Sequence, residues 1–194
     1  MKIATFNING VRARIETLTG WLTIAQPDVV VLQEIKTQDE GFPGEAIADL
    51  GYNIETHGQK GFNGVAILSK LPLEDISRGL PGDDSDEQAR WIEATVVGQS
   101  AVRIAGLYLP NGNPQPGPKF DYKLAWMERL RAHAQDLLKT EMPTVMLGGG
   151  AGIVQRHVGP KDGLCRAMFL PDDKVNAVGF ERALAQLSGR VSEG

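Results

Sequence analysis

Cysteine is nearly absent from this chain. A single residue, Cys165, among 194 excludes an internal disulfide framework and a cysteine-rich zinc centre. No Cys-His signature surrounds it, so it reads as a small packing residue, with a nucleophile as the alternative. Long apolar runs are also missing, and no basic stretch followed by an apolar one stands near Met1. The expectation is a cytoplasmic chain with neither signal peptide nor membrane-spanning helix. Positive charge is in deficit: 20 Lys and Arg against 24 Asp and Glu leave a net charge of −4. Any nucleic-acid contact then needs a local basic patch on an acidic body. Internal repeats and low-complexity tracts are lacking, and glycine and proline serve as scattered turn punctuation, densest from Pro110 to Pro118. What is present suits one domain over residues 1–194 with a sizeable core.

The stretch Pro27-Asp28-Val29-Val30-Val31-Leu32-Gln33-Glu34 reads as a strand buried on both faces that ends on a carboxylate. Lys2 to Gly10 alternates polar and apolar residues and ends on the carboxamides of Asn7 and Asn9. Between them, Ile15, Leu18, Leu22 and Ala25 stand at helical spacing. The order strand, helix, strand implies a crossover that returns the two strands side by side, with Asn7 and Glu34 at neighbouring ends. A carboxylate beside a carboxamide oxygen suits Mg²⁺, which takes one or two carboxylates and leaves its other positions to water and phosphate. The plainer reading of Glu34 is a strand exit that faces water.

Further along, a short helix is expected over Pro43 to Leu50. A hairpin follows, from the strand Gly51 to His57 and the strand Asn63 to Ser69, with His57 and Lys60 at its tip as anion contacts or solvated turn residues. Strands are expected at Leu73 to Leu80, Arg90 to Val97, Ala101 to Tyr108 and Pro143 to Leu147, with a solvated acidic loop over Pro81 to Glu87. Lys119 to Lys139 should form a helix that docks through Phe120, Leu124, Met127, Leu130, Ala134, Leu137 and Leu138, leaving His133 on the surface. A last helix is expected from Pro171 through Leu187, and His157 is expected on a surface or turn. This succession points to a mixed α/β architecture of two packed sheets with helices outside.

Five stretches, in order, resemble the exodeoxyribonuclease III branch of the endonuclease/exonuclease/phosphatase superfamily. They are Phe6-Asn7-Ile8-Asn9-Gly10, Pro27 to Glu34, Tyr52 to Leu68 with His57-Gly58-Gln59-Lys60-Gly61, Gly79 to Asp84, and Tyr108-Leu109-Pro110-Asn111-Gly112. The likeness spans Met1 to Leu147 and diverges from residue 148 onward. It implies an α/β fold, part of a four-layer α/β/β/α sandwich. It implies Mg²⁺, with Mn²⁺ as the alternative ion. The implied partner is double-stranded DNA with 3′ ends or abasic sites, cleaved at its phosphodiesters in repair, with no membrane. By the resemblance Glu34 is the principal metal ligand with Asn7 near the same ion. Tyr108 then bonds the scissile phosphate, Asn111 contacts phosphate and Arg90 faces the DNA backbone. Without the family, Tyr108 reads as a core tyrosine between sheets.

The resemblance also implies Asp-x-Asn after Gly149, where this chain has Gly150-Ala151-Gly152, and a later Ser-Asp-His segment that occurs nowhere in these residues. A positioned acid or base contributes ~10²–10⁴-fold to a rate, so these positions bear on activity. The alternative expectation is therefore a truncated, catalytically inactive relative that keeps part of the fold and weak metal or DNA binding.

Overall fold

The computed structural model describes residues 1–148 and the backbone of a strand at Val154–His157. The strand β1 (Lys2–Asn7) leads through a single 3-10 turn at Arg12–Arg14 into helix α1 (Ile15–Ala25), and β2 (Val29–Gln33) then pairs parallel with β1. The crossover places Asn7 directly opposite Gln33, one residue before Glu34. Helix α1 stops where Gln26 takes a left-handed conformation and its N–H bonds the Leu22 carbonyl, a common C-terminal cap. A short α2 (Glu45–Ala48) precedes the antiparallel hairpin of β3 (Asn53–His57) and β4 (Val65–Ser69). Then come β5 (Leu73–Arg78), β6 (Trp91–Val96), β7 (Val102–Leu107), α3 (Pro118–Leu137), β8 (Thr144–Gly148) and β9 (Val154–His157).

Two mixed sheets result. One runs β3-β4-β2-β1-β9 and the other β5-β6-β7-β8. Alternation along each strand assigns its side chains to layers. Val29, Val31, Val65 and Ile67 face Ile92, Ala94, Val96, Ile104, Val145 and Leu147 across the sandwich. Val30, Leu32, Ala66 and Leu68 face the other way, onto Leu18 and Leu22 of α1 and Ile47 of α2. On the far side Trp91, Ala105 and Leu107 meet Trp126 of α3. The apolar run of β2 is thus buried on both faces as its sequence implies, and the four layers are α/β/β/α. The sheets approach closely at Gly106, where an added Cβ would lie 2.6 Å from Val31 Cγ1. A side chain there would push the layers apart.

Several expectations need correction. Helix α3 docks through Tyr122, Trp126, Leu130, Ala134 and Leu137, whereas Leu124 and Leu138 are 50% and 69% exposed. An indole buries far more area than a leucine, so Trp126 sets the rotation of the helix and carries the flanking leucines outward. Replacing Leu138 by alanine should accordingly change stability by no more than about 0.5 kcal/mol in denaturant unfolding. His133 is not on the surface: it pairs with Glu93 at 3.1 Å and sits edge-on to Trp91, with ring centroids 5.4 Å apart. His57 is not a solvated turn residue either. It ends β3, half-buried, with Nδ1 2.9 Å from the Trp91 carbonyl, and so ties one sheet to the other. The acidic loop is not wholly solvated, because Asp86 turns inward to Arg129 and Tyr122. His157 falls in β9, antiparallel to β1, instead of a turn. Gly150-Ala151-Gly152, Cys165 and the helix expected from Pro171 through Leu187 lie outside the described residues.

Candidate metal and phosphate site

Glu34 leaves β2 in a left-handed backbone conformation, φ 54°, and Lys36 repeats it at φ 53°. Such conformations cost non-glycine residues of order 1–3 kcal/mol and persist where neighbours over-determine them. Here they are clamped from both sides. The Gly10 N–H donates to the Glu34 carbonyl at 2.7 Å and the Val11 N–H to the Ile35 carbonyl at 3.1 Å. On the other side, the Ile35 and Lys36 N–H groups donate to the Gly64 and Asn63 carbonyls, just before β4, at 3.2 and 3.1 Å. Gly64 has φ +85°, and a Cβ on it would stand 2.5 Å from Ile35, so only glycine admits this closure.

The clamped carboxylate is met by three side chains. Asn7 Nδ2 donates to Oε1 at 2.7 Å, Lys36 Nζ pairs with Oε2 at 2.9 Å, and the Tyr108 hydroxyl faces the same group. Asn7 Oδ1 accepts the Asn9 N–H at 3.1 Å, and Lys36 also bonds the Asn9 side chain. Burial would raise the Glu34 pKa, but the bonds from Asn7, Lys36 and Tyr108 outweigh it and hold the carboxyl below the usual value. Tyr108 moves the other way: burial, with the Glu34 carboxylate beside it, pushes its phenol up to about 12. At neutral pH the pair is therefore a carboxylate and a neutral O–H donor.

The sign of the Glu34 shift fixes a pH dependence. A carboxyl depressed in the folded state contributes stability that is fully present above its unfolded pKa and is lost as pH falls through the lower folded value. In metal-free protein the stability gap between the native chain and Glu34→Gln should be constant above pH ~4.5 and close below it. Urea unfolding across pH 3 to 7 measures this.

The sequence-derived site residues are brought together in part. Asn7, Glu34 and Tyr108 converge. Asn7 turns its amide nitrogen toward Glu34 and its oxygen toward the Asn9 N–H. The Tyr108 ring packs partly on the inter-sheet core, and its hydroxyl faces Glu34. Arg90 lies over the Tyr108 ring, 5.1 Å from guanidinium carbon to centroid, and donates to the Tyr108 carbonyl at 3.2 Å. Asn111 is exposed on the loop after β7, with Asn113 Nδ2 donating to its Oδ1 at 2.9 Å; the described bonds do not join it to Glu34. Lys36 is a member that the sequence reading missed. A cation two residues beyond a strand-end carboxylate was the available signal.

Among the described residues no three His, Cys, Asp or Glu side chains gather to hold a metal. The chemistry of the donor set nonetheless fits a hard cation. A carboxylate has about four lone-pair sites, of which Asn7 and Lys36 take two and Tyr108 faces a third. One ionised carboxylate is the usual protein share for Mg²⁺ when waters and substrate phosphate supply the rest.

The sequence matches the family described as Endonuclease/Exonuclease/phosphatase family over residues 4–149. The exodeoxyribonuclease III of Haemophilus influenzae is 35% identical over 189 residues, covering 90% of this chain and 69% of that protein. The 3′ phosphatase NExo from Neisseria, solved bound to a product DNA hairpin, superposes with a TM-score of 0.72 at 38% identity. It covers 76% of this chain and 56% of its own. An AP endonuclease from Archaeoglobus fulgidus gives a TM-score of 0.71 at 36% identity, with the same two coverages. The chain thus spans little more than half of these solved chains. No helix among the described residues is long and apolar enough to cross a membrane. With the four-layer sandwich and the Asn7–Glu34–Tyr108 constellation in place, the chain belongs to the endonuclease/exonuclease/phosphatase family and is similar to its exodeoxyribonuclease III and AP endonuclease members.

Proposed function

We propose that this chain is a Mg²⁺-dependent DNA phosphodiesterase that removes nucleotides from 3′ ends and incises duplex DNA at abasic sites in repair. Residues 1–194 act as one nuclease-like domain, in the cytoplasmic setting expected from the sequence. The observation that carries the reading is the convergence of Asn7, Glu34 and Tyr108 on one point at the ends of two neighbouring strands and β7.

Glu34 would hold the ion, with Asn7 fixing its carboxylate; Mn²⁺ could stand in. Bound there, the ion supplies charge stabilisation for a phosphate oxygen and acidifies a coordinated water. Tyr108, neutral up to about pH 12, can donate its O–H to a non-bridging phosphate oxygen, which draws that donor from Glu34. Lys36 adds a positive charge beside the phosphate position, offsetting the acidic balance of the chain. Arg90 is engaged with Tyr108 and acts on DNA through that tyrosine. Asn111, exposed on its loop, remains free to meet a phosphate. The relatives' printed activities, exonuclease, 3′ phosphatase and AP endonuclease, support this substrate class.

A second reading has its own observation, the Gly150-Ala151-Gly152 segment where the family resemblance implies Asp-x-Asn. It is a protein that holds metal and DNA without cutting. Incubation of an abasic-site duplex with Mg²⁺ and either the native chain or Glu34→Ala decides between them. Cleavage by the native chain that vanishes in the variant supports the phosphodiesterase. Intact DNA with both, and Mg²⁺-dependent retention of the duplex by the native chain, supports the second reading.

A further inference from the structure

Asp86 lies far from solvent for a carboxylate, its side chain only 8% exposed, and outside the constellation just described. It accepts from three directions. The Tyr122 hydroxyl donates to its two oxygens at 3.1 and 3.0 Å, Arg129 forms an ion pair with it, and the Gln88 N–H donates to Oδ1 at 3.1 Å. Tyr122 and Arg129 both belong to α3, whereas Gln88 belongs to the loop that leads into β6. Gln88 Oε1 in turn accepts from Arg90 Nε at 2.7 Å, and the Tyr122 hydroxyl faces the same guanidinium. Arg90 grips Tyr108 at three points: over its ring, at its carbonyl, and through the Tyr108 N–H, which donates to the Arg90 carbonyl at 2.9 Å.

We propose that Asp86 is a positioning residue for Tyr108: it ties α3 to the loop bearing Gln88 and Arg90, and Arg90 then sets the tyrosine against Glu34. Stability alone does not call for this device. A buried ion pair is often matched or bettered by apolar side chains of similar volume, and the neighbouring α3 contacts are already apolar. What the polar version adds is direction. Each bond from Asp86 outward constrains the next group, and the series ends on the one phenol that meets the site carboxylate.

The proposal rests on the proposed function for its kinetic arm only. Asp86→Asn keeps shape and one acceptor oxygen but drops the charge; Tyr122→Phe keeps the ring packing and removes only the hydroxyl. Either should lower kcat on an abasic-site duplex by about 10- to 100-fold while KM for the duplex stays nearly constant, the range for groups that orient a site from behind. In an Arg90→Gln background Asp86→Asn should cost little more, because its effect passes through Arg90. The second arm needs no catalysis. With ring-¹³C tyrosine, the Tyr108 signal, assigned by Tyr108→Phe among only three tyrosines, should move in both variants while that of Tyr52 stays. An unmoved Tyr108 signal in folded Asp86→Asn and Tyr122→Phe overturns the proposal. So does an equal kcat loss with and without Arg90. Should the native chain cleave nothing, the proposed function fails, yet the ring signals still decide the role of Asp86.

Discussion

Glu34→Gln is expected to reduce Mg²⁺-dependent cleavage of an abasic-site duplex by about 10³-fold or more, the upper range for removing one preorganised electrostatic group from a reaction centre. The substitution keeps the size of the side chain and can still accept from Asn7. It removes the only carboxylate among the described contacts of the site, the partner of Lys36 and the acceptor faced by Tyr108. Those groups work as a unit, so losing the carboxylate should cost nearly as much as losing all of them. Steady-state rates with Mg²⁺ varied separate two effects: weaker metal binding appears as a higher Mg²⁺ requirement, and a displaced Tyr108 persists at saturating Mg²⁺. A Glu34→Gln protein that folds normally and cleaves within tenfold of the native rate would remove Glu34 from the mechanism.

Trp126→Ala should cost the fold about 3–5 kcal/mol. Trp126 is 1% exposed and packs with Leu80, Trp91, Ala105 and Leu107 between α3 and the outer face of the second sheet. Deleting the indole leaves a cavity that a helix fixed at both ends cannot readily close. Against a total stability of about 5–15 kcal/mol, the loss amounts to a large share and a fall in Tm on the order of 10 °C. The effect reaches the site as well, because α3 carries Tyr122 and Arg129, which hold Asp86. Thermal unfolding of Trp126→Ala beside Leu138→Ala tests the rotation of α3 directly: a large shift for the first and almost none for the second.

The arrangement at the strand ends was open to reading because it depends on short-range rules. A β-branched run from Val29 to Val31 forces a strand buried on both faces, and a helix between two strands forces a parallel return. Those two facts suffice to bring Asn7 beside Glu34. The features that escaped the sequence depend on competition among distant groups. The rotation of α3 was decided by which apolar side chain the second sheet could best accommodate, and Trp126 outweighed Leu124 and Leu138. Asp86 looked like one acid in a polar loop, since nothing local shows that Tyr122 and Arg129, 36 and 43 residues later, would reach it. His57 and His133 were misplaced for the same reason: each found its partner in another element, the Trp91 carbonyl for one and Glu93 for the other. A strand pattern fixes where the Asn7 side chain emerges but not which end of its amide faces a neighbour; here the nitrogen meets Glu34 and the oxygen meets the Asn9 N–H.

The most direct measurement is paramagnetic broadening by Mn²⁺, followed on the Asn7 side-chain amide and the Tyr108 ring in the native chain and in Glu34→Ala. A divalent ion held by Glu34 should broaden both signals at substoichiometric Mn²⁺, leave Tyr52 sharp, and lose its effect in the variant. Signals of Asn7 and Tyr108 that stay sharp, or that broaden equally without Glu34, would contradict a shared ion site at these strand ends.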